Sequence, residues 1–117
     1  MLTITPQPSG TLNEVTLTDG ASVAIDASAG DLFLLSAAGD RTLQAPSNPI
    51  SDKKIIIAHT ASGAARTLTL TGGAGGFAFG SDITALTHTA SGKTDYIGCV
   101  YKQATNAWHV VAYSKGY

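Results

Sequence analysis

Four glycines lie within residues 72–76 (GGAGG), between two segments that alternate like strands. A glycine-rich loop binds phosphate when it follows a strand and leads into a helix whose first N–H groups are free. The segment that follows, FAFGS (77–81), alternates like a strand and offers no such helix. The cluster is therefore predicted to be a flexible hairpin tip, where glycine permits a positive φ.

A second phosphate-binding pattern is incomplete. Gly92, Lys93 and Thr94 match the end of a P-loop, but its spacing requires a glycine at position 87, which is Thr87. The next residues, TDYIGCVYK, have the pattern of a strand rather than of a helix. We therefore expect a solvated turn here and no bound nucleotide.

The three histidines do not have the spacing of a metal motif. His59, His88 and His109 are 29 and 21 residues apart, in three different segments. No carboxylate or thiolate stands near them at ligand spacing, and the single Cys99 lies in an apolar strand pattern. We expect no metal and no cofactor. An enzyme would need one of these histidines to meet a carboxylate in a pocket, and this alternative stays open.

Nucleophile motifs are also incomplete. The tetrapeptide Thr-Ala-Ser-Gly occurs at residues 60–63 and 89–92, and neither copy has the second glycine of a G-x-S-x-G elbow. Both copies follow apparent strands, where small residues form turns, and the aspartates also fall at turns or strand edges. We predict no catalytic residues and a protein that is not an enzyme.

Length and charge restrict the class of protein further. The chain has 117 residues, about the size of one ordinary domain, and only 13% of them are charged, seven basic against eight acidic. This balance provides no strong field to attract nucleic acid or an anionic membrane surface. No stretch approaches the roughly 18 apolar residues of a membrane span. Neither nucleic acid nor membrane is an expected partner.

The elements that would position any site are short strands. Apolar residues recur with a period close to two, and each run ends at Gly, Asp or Pro. The runs are EVTLTDG, SVAIDASAGD, DLFLLSAAGD, RTLQAPSNP, KKIIIAHTASG, RTLTLTGGAGG, FAFGS, TDYIGCVYK and NAWHVVAYS. Eight or nine strands about 10 residues apart predict an all-β, single-domain antiparallel β-sandwich or jelly roll.

Some strands are apolar on both faces, which predicts self-association. One of them is the run 53–58 (KKIIIA). In the last hairpin one face carries Ile97, Cys99 and Tyr101, and the other carries Tyr96 and Val100. On the second strand of this hairpin, Trp108 and Val110 oppose Val111 and Tyr113. A small domain has one core, so a second apolar face is expected to meet a neighbouring copy. A loop or the N-terminal segment covering that face is the alternative. The candidate interface anchors are Ile55, Ile57, Tyr101, Trp108 and Val110.

Residues 1–10 (MLTITPQPSG) are predicted to be an extended arm, and residues 11–117 the β-sandwich domain. Two prolines and the absence of charge favour an extended segment. If Leu2 and Ile4 add a strand to a partner's sheet edge, the arm becomes an attachment device. A frayed or self-docked terminus is the alternative.

Five segments follow one another in a distinctive order: VAIDASAGD (23–31), DRTLQAPSNP (40–49), GFAFG (76–80), SGKTDY (91–96) and YKQATNAWHVV (101–111). In this succession, over roughly residues 20–112, the chain resembles virion proteins of tailed bacteriophages. The proteins concerned are small capsid decoration proteins and the distal domains of tail or head fibres, and many are trimers of β-sandwich or jelly-roll subunits. The resemblance carries over no active site.

The resemblance implies a structural role in a homotrimer. The expected function is capsid decoration, in which the trimer binds the major capsid protein of the assembled head and stabilises the shell, after synthesis in the host cytoplasm. Leu2, Ile4 and Pro6 of the arm are the expected capsid contacts. A fibre tip that binds a host receptor or glycan is the alternative, with Tyr101, Trp108, Tyr113 and Tyr117 as aromatic candidates.

Overall fold

The computed structural model describes residues 13–117, which form one all-β domain without an α-helix. The predicted arm 1–10, with Leu2, Ile4 and Pro6, lies outside the described residues. The nine strands are β1 (Glu14–Thr16), β2 (Ser22–Val23), β3 (Leu32–Ala37), β4 (Arg41–Leu43), β5 (Lys54–Ala61), β6 (Leu68–Leu70), β7 (Phe77–Ala78), β8 (Thr94–Lys102) and β9 (Ala107–Ser114). A single 3₁₀ turn, Gln103–Thr105, joins β8 to β9.

The first six strands wind as a coil between two sheets. Strands β1, β3 and β5 pair in parallel in one sheet, while β2, β4 and β6 pair in parallel in the other. Val15, Phe33 and Ile57 are therefore stacked neighbours, although they are far apart in sequence. Each pair of consecutive strands makes one turn of the coil, and three turns stack on one another.

The remaining strands extend the first sheet. Strand β8 pairs antiparallel with β5, β9 pairs antiparallel with β8, and the short β7 lies parallel to β9 at the edge. The result is a six-stranded mixed sheet in the order β1-β3-β5-β8-β9-β7, opposite the three-stranded sheet β2-β4-β6. We call the side of the six-stranded sheet that points away from the three-stranded sheet the outer face.

The prediction of a single all-β domain is confirmed, but an antiparallel arrangement throughout is wrong. Parallel neighbours need a connection of a dozen or more residues, and among the first six strands each such connection contains a strand of the opposite sheet. Short strands separated by turns therefore have the same spacing in a coil as in a series of hairpins. The stretch 45–52 (APSNPISD), which contains two prolines, connects β4 of one sheet to β5 of the other.

An ion pair joins the first two turns of the coil. Arg41 on β4 donates to both carboxylate oxygens of Asp19, at 2.7 and 2.9 Å, and Asp19 also accepts the Ala38 N–H. These hydrogen bonds favour the ionised carboxylate and lower the pKa of Asp19 to about 2. Asp19 therefore stays charged over the whole physiological range of pH.

The core lies between the two sheets, where the inward-facing side chains of both meet. Trp108 and Phe33 are its largest fully buried members, and the tilted rings of Tyr101 and Trp108 lie 5.1 Å apart. Further buried side chains are Val23, Leu35, Leu43, Ile55, Ile57, Ile97 and Cys99. Desolvation raises the pKa of the Cys99 thiol to about 12, so this residue is an inert apolar neighbour.

The glycine cluster forms a turn between the sheets rather than a hairpin tip. Gly73 and Gly75 have φ of +83° and +76°, as predicted for glycine at a tight turn. The strands on either side, β6 and β7, belong to different sheets. At Gly76 a Cβ atom would lie 2.4 Å from the Thr71 carbonyl oxygen and 2.6 Å from that of Gly72. Backbone packing therefore requires glycine at position 76.

Gly76→Ala is expected to destabilise the fold by about 1–3 kcal/mol, because the new methyl group must displace backbone atoms. The matched control is Gly80→Ala, where a Cβ meets nothing within 4 Å and φ is not positive. Urea unfolding followed by tryptophan fluorescence measures both, and the control should change stability by no more than about 1 kcal/mol. Equal effects of the two substitutions would contradict the assigned close approach.

Candidate interaction surface

The five residues predicted as interface anchors lie in the core of the single chain. Ile55, Ile57, Tyr101, Trp108 and Val110 are all buried between the two sheets. Their side chains are occupied by contacts within the chain, so any contact between copies at this sheet uses their outward-facing neighbours. The predicted alternation of side chains along β5 and β8 is confirmed. The side chains assigned to the interface, however, are those that fill the core.

Apolar side chains form rows across the outer face. In one row Leu34, Ala58 and Tyr96 are register partners on β3, β5 and β8. The next row contains Leu32, Ile56, Gly98 and Ala112. Because Gly98 has no side chain, Ile56 stands beside a depression in the sheet surface. The two rows together give a continuous apolar area on the central strands.

Exposure and charge distinguish this area from ordinary sheet surface. Tyr96 and Val111 are 39% and 59% exposed, and Leu32, Leu34, Ile56 and Val100 are half-buried. Charged outward residues stand at the margins: Glu14 lies beside Leu32 on the edge strand β1, and Lys54 and Lys102 follow the apolar rows at one end, where Lys102 is paired with Asp52. Polar Ser36, Thr60 and Thr94 stand at the other end. An apolar centre with a polar rim is typical of protein interfaces.

A groove of about 330 Å³ crosses the outer face beside Tyr96. Its walls combine residues of four strands: Thr16, Leu34, Leu35, Ser36, Ala58, Thr60, Thr94 and Tyr96. The Tyr117 ring packs edge-on against Tyr96 with ring centroids 5.5 Å apart. The C-terminal residue is held there because Tyr117 exchanges two backbone hydrogen bonds with Thr94.

A β-bulge determines which residues of β9 reach the outer face. Gly98 is paired with Ala112 and Cys99 with Val110, so Val111 is the extra residue and points outward. Beyond the bulge Tyr113 is opposite Ile97 and packs against the core. The predicted shared face of Val111 and Tyr113 is therefore wrong, because one extra residue reverses the alternation that follows it.

A buried polar cluster lies at the polar end of the sheet, beneath the outer face. Its members are His59 on β5, Thr89 in the segment between β7 and β8, and Asp95 on β8, each at most 2% exposed. The Thr89 hydroxyl donates to Asp95 Oδ2 at 2.8 Å and lies 2.8 Å from His59 Nδ1. Since that hydroxyl gives its proton to Asp95, His59 must donate from Nδ1–H. His59 Nε2 is then a bare acceptor, and it has no partner among residues 13–117.

Asp95 also holds residues 115–117, which we call the C-terminal tail, through a hydrogen bond. Its Oδ1 accepts the Gly116 N–H at 2.9 Å, and Lys115 Nζ lies 3.8 Å from Oδ2. Lys115 donates to the His88 carbonyl oxygen at 2.9 Å and to the Thr87 hydroxyl. One buried carboxylate thus connects strand β8, the segment around Thr89 and the tail.

The cluster brings together a histidine and a carboxylate, the pair that an enzyme would need, but it does so inside the core. His59 is 1% exposed, and none of the four surface cavities described for residues 13–117 includes it. His88 is exposed elsewhere, and His109 faces Thr105, so the three histidines do not converge. Within residues 13–117, no group of three or more His, Cys, Asp or Glu side chains could hold a metal ion. The arrangement is suited to holding structure together.

Comparison with protein-family models, curated proteins and solved structures finds no match to this chain. Among residues 13–117, no helix is long and apolar enough to cross a membrane. The geometry of the outer face is therefore the main structural basis for a functional interpretation.

Proposed function

We propose that this chain is a structural virion protein, a capsid decoration protein that self-associates through the outer face and binds the assembled phage head. The observation that supports it is the apolar area formed by Leu34, Ile56, Tyr96, Val100 and Val111 on the central strands. Self-associating surfaces are more apolar than the average protein surface, and their centres lack charged residues. The charged residues of this face stand at its margins: Glu14 lies on the edge strand β1, and Lys54 and Lys102 lie at one end.

The outer face is also well supported from beneath. The inward side chains of the same strands, such as Ile57 and Ile97, are packed in the core, so the outward residues stand on a rigid base. Rigid surfaces lose less conformational entropy on binding than loops do. A homotrimer is the assembly that the resemblance to phage proteins implies, and three copies presenting identical contacts would bind a shell with avidity.

The contact with the shell is proposed to involve Leu2, Ile4 and Pro6, which lie outside the described residues. A short apolar segment can add to a sheet edge of the major capsid protein through backbone hydrogen bonds. This division assigns self-association to the outer face and shell binding to the arm. The two activities should therefore be separable by mutation.

Immunogold electron microscopy of phage particles that encode this chain tests the proposal. With antibody to the purified protein, we expect label over the whole head and little over the tail. Particles from a deletion mutant serve as the control for antibody specificity. Label restricted to the tail tip, or absent from particles, would reject capsid decoration.

A fibre tip that binds a host receptor or glycan is the second candidate, and the exposed ring pair Tyr96 and Tyr117 favours it. Tyr117 is 66% exposed, and its hydroxyl lies 2.7 Å from Ser114 Oγ. A tyrosine combines an apolar ring with a polar hydroxyl group, which suits it to a binding surface. The earlier candidates Tyr101 and Trp108 are buried and Tyr113 is half-buried, so they are poorly placed for this role. Glycan-array binding that Tyr117→Ala abolishes would support the fibre-tip function.

A further inference from the structure

The buried cluster contacts two parts of the chain that lie outside the strands. Residues 79–88 contain no strand, and residues 115–117 follow the last strand. Thr89 is joined to Arg66 by a pair of backbone hydrogen bonds of 2.8 and 3.0 Å, and Gly116 is held by Asp95. The Thr89 hydroxyl and the Gly116 N–H also donate to the same carboxylate, that of Asp95. Because His59 is hydrogen-bonded to Thr89 in this cluster, its protonation bears on both parts.

Neutral His59 fits its site, and doubly protonated His59 does not. In the neutral ring the single N–H, at Nδ1, is directed at Thr89. A second proton at Nε2 would create a buried N–H with no acceptor among residues 13–117. An unpaired buried donor costs about 1–3 kcal/mol, and more when the group is charged. Protonation thus favours any rearrangement that brings the ring into water.

Charged groups around His59 have opposite effects on its protonation. Asp95 on β8 and Asp19 in the β1–β2 connection favour the protonated ring, while Lys115 of the tail, 3.8 Å from Asp95, offsets part of the Asp95 charge. Arg66, next to Thr89 through the backbone, directs its side chain to the Ser62 carbonyl oxygen. Desolvation is the largest influence, and it lowers the pKa of His59 below its usual 6.5.

The lowered pKa of His59 determines how the stability of the fold depends on pH. Because the pKa of His59 is lower in the folded chain than in the unfolded chain, the unfolded state binds more protons in the interval between the two values. The full stability is therefore present above about pH 6.5, and part of it is lost as the pH falls through the folded pKa.

We propose that His59, Thr89 and Asp95 form an acid-sensitive latch, which holds the segment around Thr89 and the C-terminal tail on the sheet at neutral pH and releases them in acid. Release of the tail separates Tyr117 from Tyr96, which lines the groove on the outer face, and breaks the backbone pair between Tyr117 and Thr94. The latch itself needs only one chain, whereas its effect on assembly rests on the proposed function.

Nuclear magnetic resonance tests the latch directly. Amide exchange protection is measured at Gly116 and Thr89, with Ile57 in the core as internal reference, together with the ring chemical shifts of His59. Between pH of about 7.5 and about 5, protection at Gly116 and Thr89 should fall at least about ten-fold relative to Ile57, and the fall should begin as the pH drops below about 6.5.

His59→Asn is the matched variant, because the asparagine amide can donate from the position of Nδ1 and does not titrate in this range. It should reduce the pH-dependent change to less than about two-fold, whereas His88→Asn, at an exposed histidine, should retain the full change. A His59 titration that leaves protection at Gly116 unchanged would overturn the latch, even if His59→Asn failed to fold. So would the full change persisting in a folded His59→Asn.

The failure of the latch and the failure of self-association can be told apart. The same measurements on Ile56→Lys, which is expected to stay folded without self-associating, report on the single chain. If the acid-induced loss of protection persists in Ile56→Lys, the latch is supported whether or not the unaltered protein self-associates. If that loss disappears in Ile56→Lys but is present in the unaltered protein, the pH response belongs to an interface and the latch is rejected.

Discussion

Asp95→Ala should lower the free energy of unfolding by about 2–5 kcal/mol, because it leaves at least two donors without their acceptor. The Thr89 hydroxyl and the Gly116 N–H both donate to this carboxylate at 2.8 and 2.9 Å, and the side chain is 2% exposed. Removal also leaves the proton of Thr89 free to turn toward His59, so the hydrogen bond of His59 is disturbed. Asp95→Ala therefore weakens hydrogen bonds in three segments: β5, the segment around Thr89 and the C-terminal tail.

Urea unfolding at neutral pH measures this effect, with Asp82→Ala as control. Asp82 is an exposed aspartate in the same stretch between β7 and β8, and its removal should change stability by no more than about 0.5 kcal/mol. Asp95→Asn keeps one acceptor oxygen and should fall between the two. A loss below about 1 kcal/mol for Asp95→Ala would mean that the cluster does not fasten the tail and the segment around Thr89.

The period of two was a reliable guide to which side chains share a face within one strand. It placed Ile55 and Ile57 together on β5, and Ile97, Cys99 and Tyr101 together on β8, and the structure confirms both sets. It could not say which set fills the core, since both sides of β5 are apolar. The sequence also did not indicate which strands pair with one another, because strands separated by turns have the same pattern in a coil and in a series of hairpins.

The buried cluster was missed because its members are distant in sequence. His59 and Thr89 are 30 residues apart, and no local pattern marks them as neighbours. The repeated Thr-Ala-Ser-Gly was the available signal, since repeats often occupy equivalent places in stacked structures. Its two copies lie side by side, with Ala61 bridged to Ser91 and the Gly92 N–H donating to the Ala61 carbonyl oxygen.

The role of the outer face was hard to predict from the sequence for a different reason, because the proposed contacts are made between chains. Sequence alternation identified apolar outward residues, but the bulge at Val111 changed which residues of β9 belong to them. Bulges have weak sequence signals, and here the cue was Gly98 opposite the irregularity. A Cβ at Gly98 would lie 3.2 Å from the Ala112 Cβ, so the close pairing at the bulge favours glycine there.

Ile56→Lys should weaken self-association at least about 30-fold, because it places an unpaired charge at the centre of the proposed contact between copies. Ile56 points outward beside Gly98 and is half-buried, so a lysine stem can lie along the sheet while its ammonium group reaches water in the free chain. The core beneath is untouched, and stability should change by no more than about 1 kcal/mol.

Sedimentation equilibrium over a range of concentrations measures the effect, with Thr42→Lys as the matched control. Thr42 is an exposed strand residue of the opposite sheet, so the control adds the same charge on the other side of the domain. The unaltered protein and the control should show the mass of the same oligomer, and Ile56→Lys that of one chain. If Ile56→Lys retains the oligomeric mass, the outer face is not the self-association surface. If both variants dissociate, the added charge acts through the net charge of the chain rather than through a contact at Ile56.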